Sequence, residues 1–262
     1  MQWRKQYPPR KTIIFERNEE FFHDDVAGCP STKPARCLVH ELGLNPIPEL
    51  FRYEMQLTEE AKEKARRFQE EELGNQRYAI LHYSGTASKE DKDLTDYEAL
   101  QLCKGLLNDG LIPVILDWED NPLILDPDIG DFIVIPDKRH SWLWDGQRHG
   151  NAQTITALID GAEMFLGIDS GPAHLAAATA TPAVVFWHTF HPLTNFDLAD
   201  NVTHVVPSWS KDEYEDRAVA FFEEHYQYVY YDGELGEKIE DVAANLFEEE
   251  SDPVENVPDD PK

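Results

Sequence analysis

Apolar positions in the middle of the chain fall into short runs, each separated from the next by a stretch with helical spacing. Tyr78–Tyr83, Ile112–Leu116, Phe132–Ile135, Met164–Ile168 and Ala183–Trp187 are mostly apolar segments of strand length. Between them, Thr95 to Asn108 reads as a helix. So does Gln153 to Ala162, where Ile155, Leu158, Ile159 and Ala162 stand at i, i+3, i+4 and i+7. An earlier helix is capped by Thr58 and runs to about Glu72, with Ala61, Ala65 and Phe68 on one face and Lys and Glu on the other. Gly74-Asn75 ends it. A last helix is predicted over 235–247. Short strands alternating with helices of this length predict βαβ units and an α/β domain with a mostly parallel sheet. The first 50 residues differ, since Pro8, Pro9, Gly28, Pro30, Pro34, Pro46 and Pro48 break any period. Only Ile13–Phe15 as a short strand, Arg36–Leu44 as a short helix and Arg52–Leu57 as an extended segment stand out there. The expected division is an irregular segment over 1–75, the α/β domain over 76–247, and an acidic, Pro-broken tail over 248–262 that is predicted disordered.

Hydrophobic content of 41% and aromatic content of 11% in 262 residues supply enough apolar surface for a real core. The formal net charge of −28 argues against nucleic acid and against anionic membrane surfaces as partners. A phosphorylated ligand must then be held by local amides and a few specific cations. No apolar run approaches the roughly 20 residues of a membrane-spanning helix, and the start of the chain has no apolar signal-peptide core. Three cysteines, Cys29, Cys37 and Cys103, at no zinc-site spacing fit reduced thiols in a cytoplasmic protein; a Cys29–Cys37 disulfide is the alternative.

In open α/β sheets ligands sit outside the carboxyl ends of the strands, and three loops qualify. The loop after strand 78–83 carries Ser84, Gly85, Thr86 and Ser88, small residues that let donors approach a phosphate, with Lys89 or Lys92 to supply charge. The loop after strand 112–116 is Asp117-Trp118-Glu119-Asp120. It reads equally as an exposed acidic turn or as a site where Trp118 stacks on a base and Glu119 accepts from ribose. The third is the most informative stretch of the chain, Met164-Phe-Leu-Gly-Ile-Asp-Ser-Gly-Pro-Ala-His-Leu-Ala-Ala-Ala178. An apolar strand ends in Asp169, and Ser170 or Gly171 caps a helix with Pro172 at its start. The first-turn amides and the helix dipole form a place for an anion, and the ring of His174 can point at it. A bare Asp-Ser-Gly-Pro is otherwise a simple helix cap. Asp126-Pro-Asp128 and His188/His191 only superficially resemble metal motifs, and no third ligand accompanies the histidines. Trp142 and Trp144 with Arg139, His140, Arg148 and His149 form a basic-aromatic cluster that is either a packed loop or the border of a ligand cleft.

The run from Met164 to Ala178, with the Pro182-led strand after it, resembles the signature of glycosyltransferase family 9, the ADP-heptose:lipopolysaccharide heptosyltransferases and their relatives. In that family a strand ends in Asp-[Ser/Thr]-Gly-x-x-His-Leu-Ala-Ala before a small-residue helix. The resemblance extends over about 36–247 and is specific mainly at 164–187. It implies one half of a GT-B fold, a Rossmann-like parallel sheet with flanking helices that binds the donor over 76–247, preceded by a short irregular segment as a remnant of the acceptor domain. Lys92 takes the place of a family lysine, although Asp93-Leu-Thr95 replaces the aromatic and Pro that usually follow. The loop Trp187–Pro192 also departs from the family pattern.

The resemblance further implies inverting transfer of a sugar from a nucleotide-diphosphate sugar, ADP-heptose-like, to an acceptor hydroxyl of a glycan or lipopolysaccharide precursor, with no metal or cofactor. Lys92 and Asp169 are the candidate catalytic residues on the leaving-group side. Lys92 would neutralise the pyrophosphate, and Asp169 would orient the loop or contact the sugar. Ser84, Gly85, Thr86, Ser88, Trp118, Glu119, Ser170, Gly171 and His174 are the candidate substrate-binding residues. No general base is found; Asp24 and Asp25 are the only nearby acids. The expectation is therefore a shortened, divergent or partner-dependent transferase, with a separate acceptor-domain protein as a candidate partner. The alternative is a non-catalytic nucleotide-sugar-binding or regulatory module without that domain.

Overall fold

The computed structural model describes residues 55–85, 92–116, 132–134, 140, 142–143, 151–189, 191–194, 196, 199–213 and 216–245. The expectations for residues 1–54, for the tail from 246 and for Thr86, Ser88, Trp118 and Glu119 fall outside these described residues. In chain order the elements are α1 (Glu59–Leu73), β1 (Tyr78–His82), α2 (Asp96–Asn108), β2 (Ile112–Ile115), α3 (Ala152–Asp160), β3 (Met164–Ile168), α4 (Gly171–Ala176), β4 (Ala183–Phe186), β5 (Val202–Pro207), α5 (Asp216–His225), β6 (Gln227–Tyr231) and α6 (Leu235–Asn245).

Local signals set the helix ends. Thr58 Oγ1 accepts from the Ala61 amide at 3.2 Å to start α1, which stops where Gly74 and Asn75 turn left-handed at φ 56° and 62°. Thr95 and Glu98 close a reciprocal capping box at the start of α2. Each of these satisfies amides or carbonyls that a helix end would otherwise leave open.

All six strands are parallel, in the order β2-β1-β3-β4-β5-β6. Alternate side chains of each strand serve opposite faces. Tyr78, Ile80, Phe165 and Val185 join Phe68 of α1, Leu158 and Ile159 of α3, Ala173 and Ala176 of α4, and Phe222 of α5 in one core. Ala79, Leu81, Leu166 and Phe186 join Leu102, Cys103 and Leu106 of α2 and Leu235 and Ile239 of α6 in the other. A sheet covered on both faces needs strands apolar on both sides, which is why β1 and β3 are buried along their whole length. This is a Rossmann-like α/β fold. Gly167 is placed by packing: a Cβ there would lie 2.6 Å from Cζ of the buried Phe165 ring.

Two readings of the chain are revised. In the described part of the expected strand 132–135, residues 132–134, only a bridge forms, in which Val134 pairs with Val114 outside β2. Ile115 donates to the Val134 carbonyl and Val134 donates to the Pro113 carbonyl, both at 2.9 Å. The next donor in that ladder is the residue-113 amide, and Pro113 has none. Phe132 instead sits in a 3₁₀ turn, 61% exposed. Conversely, β5, α5 and β6 extend the sheet through a region where no elements were expected. The chain leaves β1 toward β2 on one side, and from β3 onward it builds toward β6 on the other. The carboxyl ends of β1 and β3 therefore flank a topological switch point, where the two departing connections leave a crevice.

Candidate functional site

Both of these strands end in polar residues that meet across the crevice. From the exit of β1, Lys92 donates to Asp169 Oδ2 at 2.5 Å, although the two residues lie 77 positions apart. The pair is mostly out of water, with the Asp169 side chain 7% exposed and Lys92 21%. Taking a carboxylate out of water is costly unless a cation and hydrogen bonds compensate it, so Asp169 and Lys92 hold each other in place. The same loop is folded back by Asp93. Its Oδ2 accepts from the Ser84 hydroxyl at 2.6 Å and its Oδ1 from the Gly85 amide at 2.8 Å. Leu94 donates to the Tyr83 carbonyl at 2.9 Å and closes the loop's base. A Cβ on Gly85 would be 3.7 Å from both Asp93 Oδ1 and Ile168 Cδ1, so the β1 loop lies against the end of β3.

At the exit of β3, Ser170 is the N-cap of α4 with Pro172 in its first turn, as expected, but neither Asp169 nor Ser170 caps through its side chain. Asp169 pairs with Lys92, and Ser170, at the N-cap of α4, makes no side-chain cap bond. The Ser170 Oγ is buried and has no hydrogen-bond partner among the described residues. In the first turn of α4, Pro172 has no N–H and His174 donates its amide to the Ser170 carbonyl at 3.3 Å. The amides that this turn can offer are thus those of Gly171 and Ala173. The His174 ring stacks on Phe196 with centroids 4.6 Å apart and planes 19° from parallel. It forms the outer edge of an aromatic wall in which Phe196 meets Trp187 and His204 edge-on. His204, fully buried in that wall, accepts from the Trp187 indole at 3.0 Å. Burial, reinforced by the neighbouring His191 and His174, lowers its pKa to about 3.

Of the predicted site residues, the structure thus brings together Ser84, Gly85, Lys92, Asp169, Ser170 and Gly171, with His174 at the rim. Sequence reading did not single out two residues that the structure places beside this crevice, Asp93 and His82. The latter is buried at the end of β1, its Nδ1 3.0 Å from the Leu116 carbonyl, which ties β1 to the start of the Asp117–Asp120 loop. A short polar residue closing a Gly-containing loop was the only local hint for Asp93. The basic-aromatic cluster is a packed loop as far as it is described. His140 contacts Glu72 at 3.0 Å, Arg67 lies 4.2 Å over the Trp142 ring, and Leu143 is fully buried. These contacts fall on the half of α1 that leads to the amino end of β1, away from the crevice. Among the described residues no group of three or more His, Cys, Asp or Glu could hold a metal, and no helix is long and apolar enough to cross a membrane.

Residues 151–219, from α3 through β5 to the start of α5, match one family model and include the Asp169–His174 turn. The family is glycosyltransferase family 9 (heptosyltransferase). No curated protein matches the chain. Among solved structures, E. coli ADP-heptose lps heptosyltransferase II is 19% identical with a TM-score of 0.45, over 58% of this chain and 44% of that one. A family 9 glycosyl transferase from Veillonella parvula is 12% identical, with a TM-score of 0.43, over 58% and 42%. The E. coli heptosyltransferase WaaC, solved with ADP-2-deoxy-2-fluoro heptose, is 17% identical with a TM-score of 0.36, over 61% and 47%. The matched part of this chain thus spans less than half the length of each of these proteins.

Proposed function

We propose that this chain binds the donor of a glycosyl transfer, a nucleotide-diphosphate sugar, in the crevice between β1 and β3. The observation that carries the reading is the Lys92–Asp169 contact, which joins the loops after two neighbouring strands at the switch point. A cation fixed there faces the turn of the family 9 segment, where the Ser170 hydroxyl and two amides are available. In the transfer, the acceptor oxygen attacks the anomeric carbon, and the bond from that carbon to the diphosphate breaks with its electron pair passing to the leaving oxygen. The acceptor's proton goes to a general base, a role not assigned here to any residue. Charge develops on the diphosphate as this bond breaks, so donors fixed in advance around it lower the barrier. Lys92 supplies the positive charge, and Gly171 and Ala173 supply amides. Asp169 keeps the ammonium in place when the site is empty. Following the resemblance, the reaction inverts the sugar and needs no metal.

Isothermal titration with ADP and ADP-sugars tests the reading. A charge-assisted hydrogen bond contributes about 1.5–3 kcal/mol, so Lys92→Ala is expected to weaken ADP binding about tenfold or more. Lys89→Ala is expected to do less. ADP affinity that is untouched by Lys92→Ala in a folded protein would overturn the reading.

A further inference from the structure

The crevice contains its own anion in the place a ligand's would take. The Ser84 hydroxyl and the Gly85 amide are the donors expected to meet a phosphate, yet both point at the two oxygens of the Asp93 carboxylate. Two donors converging on a pair of oxygens is the arrangement by which a loop grips one edge of a phosphate. On the other side the Lys92 ammonium is shared with Asp169. Among the described residues, the charged side chains on the two facing loop ends are thus one ammonium and two carboxylates.

The ends of the loop are also held by contacts that do not involve Asp93. The backbone bond from Leu94 to Tyr83 closes its base, and the Thr95–Glu98 capping box starts the next helix without it. What the carboxylate adds is charge. We propose that Asp93 determines which ligands the site accepts, by competing as an internal anion with the ligand's phosphate for Ser84 and Gly85. This deepens the donor-site reading above and rests on it. On this inference the empty site is held closed by its own carboxylate, and a phosphate enters only by displacing it. Binding is then weaker than the donor set alone would allow, and the penalty rises with the charge of the ligand. Only ligands with further contacts, such as those to a base or a sugar, bind well. Free inorganic phosphate is excluded.

The experiment is calorimetric titration of the full chain with ADP, AMP and adenosine, comparing wild type with Asp93→Asn, Asp93→Ser and Asp93→Glu. Circular dichroism and urea midpoints confirm that each variant is folded, and the two neutral variants guard against one of them failing to fold. The expected result is that the neutral variants bind ADP at least fivefold tighter than wild type. AMP should gain less and adenosine should not change, while Asp93→Glu should stay within twofold of wild type. ADP binding that is equal or weaker in both neutral variants would overturn the competition and leave the donor site standing. An equal gain for adenosine would also overturn it, since a gain without phosphate means relieved sterics rather than relieved charge. Absence of ADP binding by wild type and every variant would sink the donor site itself, and this inference with it.

Discussion

If the Lys92–Asp169 contact ties β1 to β3, its two ends must be energetically coupled, and a double-mutant cycle measures that coupling. At an effective dielectric of about 20, unit charges about 4 Å apart attract by about 4 kcal/mol, and part of that offsets the desolvation of Asp169. Lys92→Met removes the ammonium and leaves a carboxylate that is only 7% exposed without its partner. Breaking a fully buried pair this way costs about 3–5 kcal/mol; with Lys92 itself 21% exposed, about 2–3 kcal/mol is the better expectation. Asp169→Asn keeps an oxygen for Lys92 to donate to, so it should cost about 1–2 kcal/mol. The double variant has no stranded charge and should be no less stable than Lys92→Met alone. The resulting coupling energy is at least about 1–2 kcal/mol, within the range for residues in direct contact.

Urea unfolding followed by tryptophan fluorescence reads this directly. For an m-value of about 2–3 kcal/mol/M, Lys92→Met should lower the midpoint by about 1 M, and adding Asp169→Asn should not lower it further. Single-variant losses that add to within about 0.5 kcal/mol would mean that the two groups are independently solvated. The case for a preformed cation at the switch point would then fail.

Two further expectations concern the aromatic wall and β3. His204 is neutral in the folded protein with a pKa of about 3, whereas unfolded histidine titrates near 6.5. Its contribution to stability is therefore constant above about pH 6.5 and falls by about 1.4 kcal/mol per unit below that, reaching about 2 kcal/mol at pH 5. Urea midpoints at pH 7, 6 and 5 should show this loss, and His204→Gln should flatten it; an unchanged slope in that variant would clear His204 of the effect. Gly167→Ala places a methyl group 2.6 Å from the Phe165 ring, which has no exposed surface through which to move away. Overpacking of this kind costs about 1–3 kcal/mol; a melting temperature equal to wild type would show that the ring can shift.

What could be read from the chain depended on the range of the interaction involved. Met164–Ile168 is a strand with the limits expected of it, since five apolar residues between turn signals leave few other options. The caps at Thr58 and Thr95 are equally local. β5 was missed because Thr203 and His204 interrupt the apolar run between Val202 and Val206. A buried histidine is tolerated there only because the Trp187 indole, 17 residues earlier, donates to it. β6 was missed for the complementary reason: Gln227, Val229 and their neighbours alternate exposed and half-exposed on an edge strand, so no strong period develops. At 132–134 the expected strand gives way to a bridge over a single missing N–H, at Pro113, that belongs to a different segment.

The site divides in the same way. Asp169, Ser170 and Gly171 could be picked out because one short turn contains them, but their roles could not. As a helix cap, Asp169 would have bonded an amide two or three residues on; instead its partner is Lys92, brought to it by strand order. β1 and β3 are neighbours although β2 lies between them in sequence. That adjacency alone converts a lysine in one polar loop and an aspartate in another into an ion pair. The role of Asp93 is hidden more deeply still. An acidic residue after a lysine reads as a solvated turn until the loop folds back and presents Ser84 and Gly85 to it. On the proposal made above, the same donors would serve either this internal carboxylate or a bound phosphate, and the charge on residue 93 would set which of the two they hold.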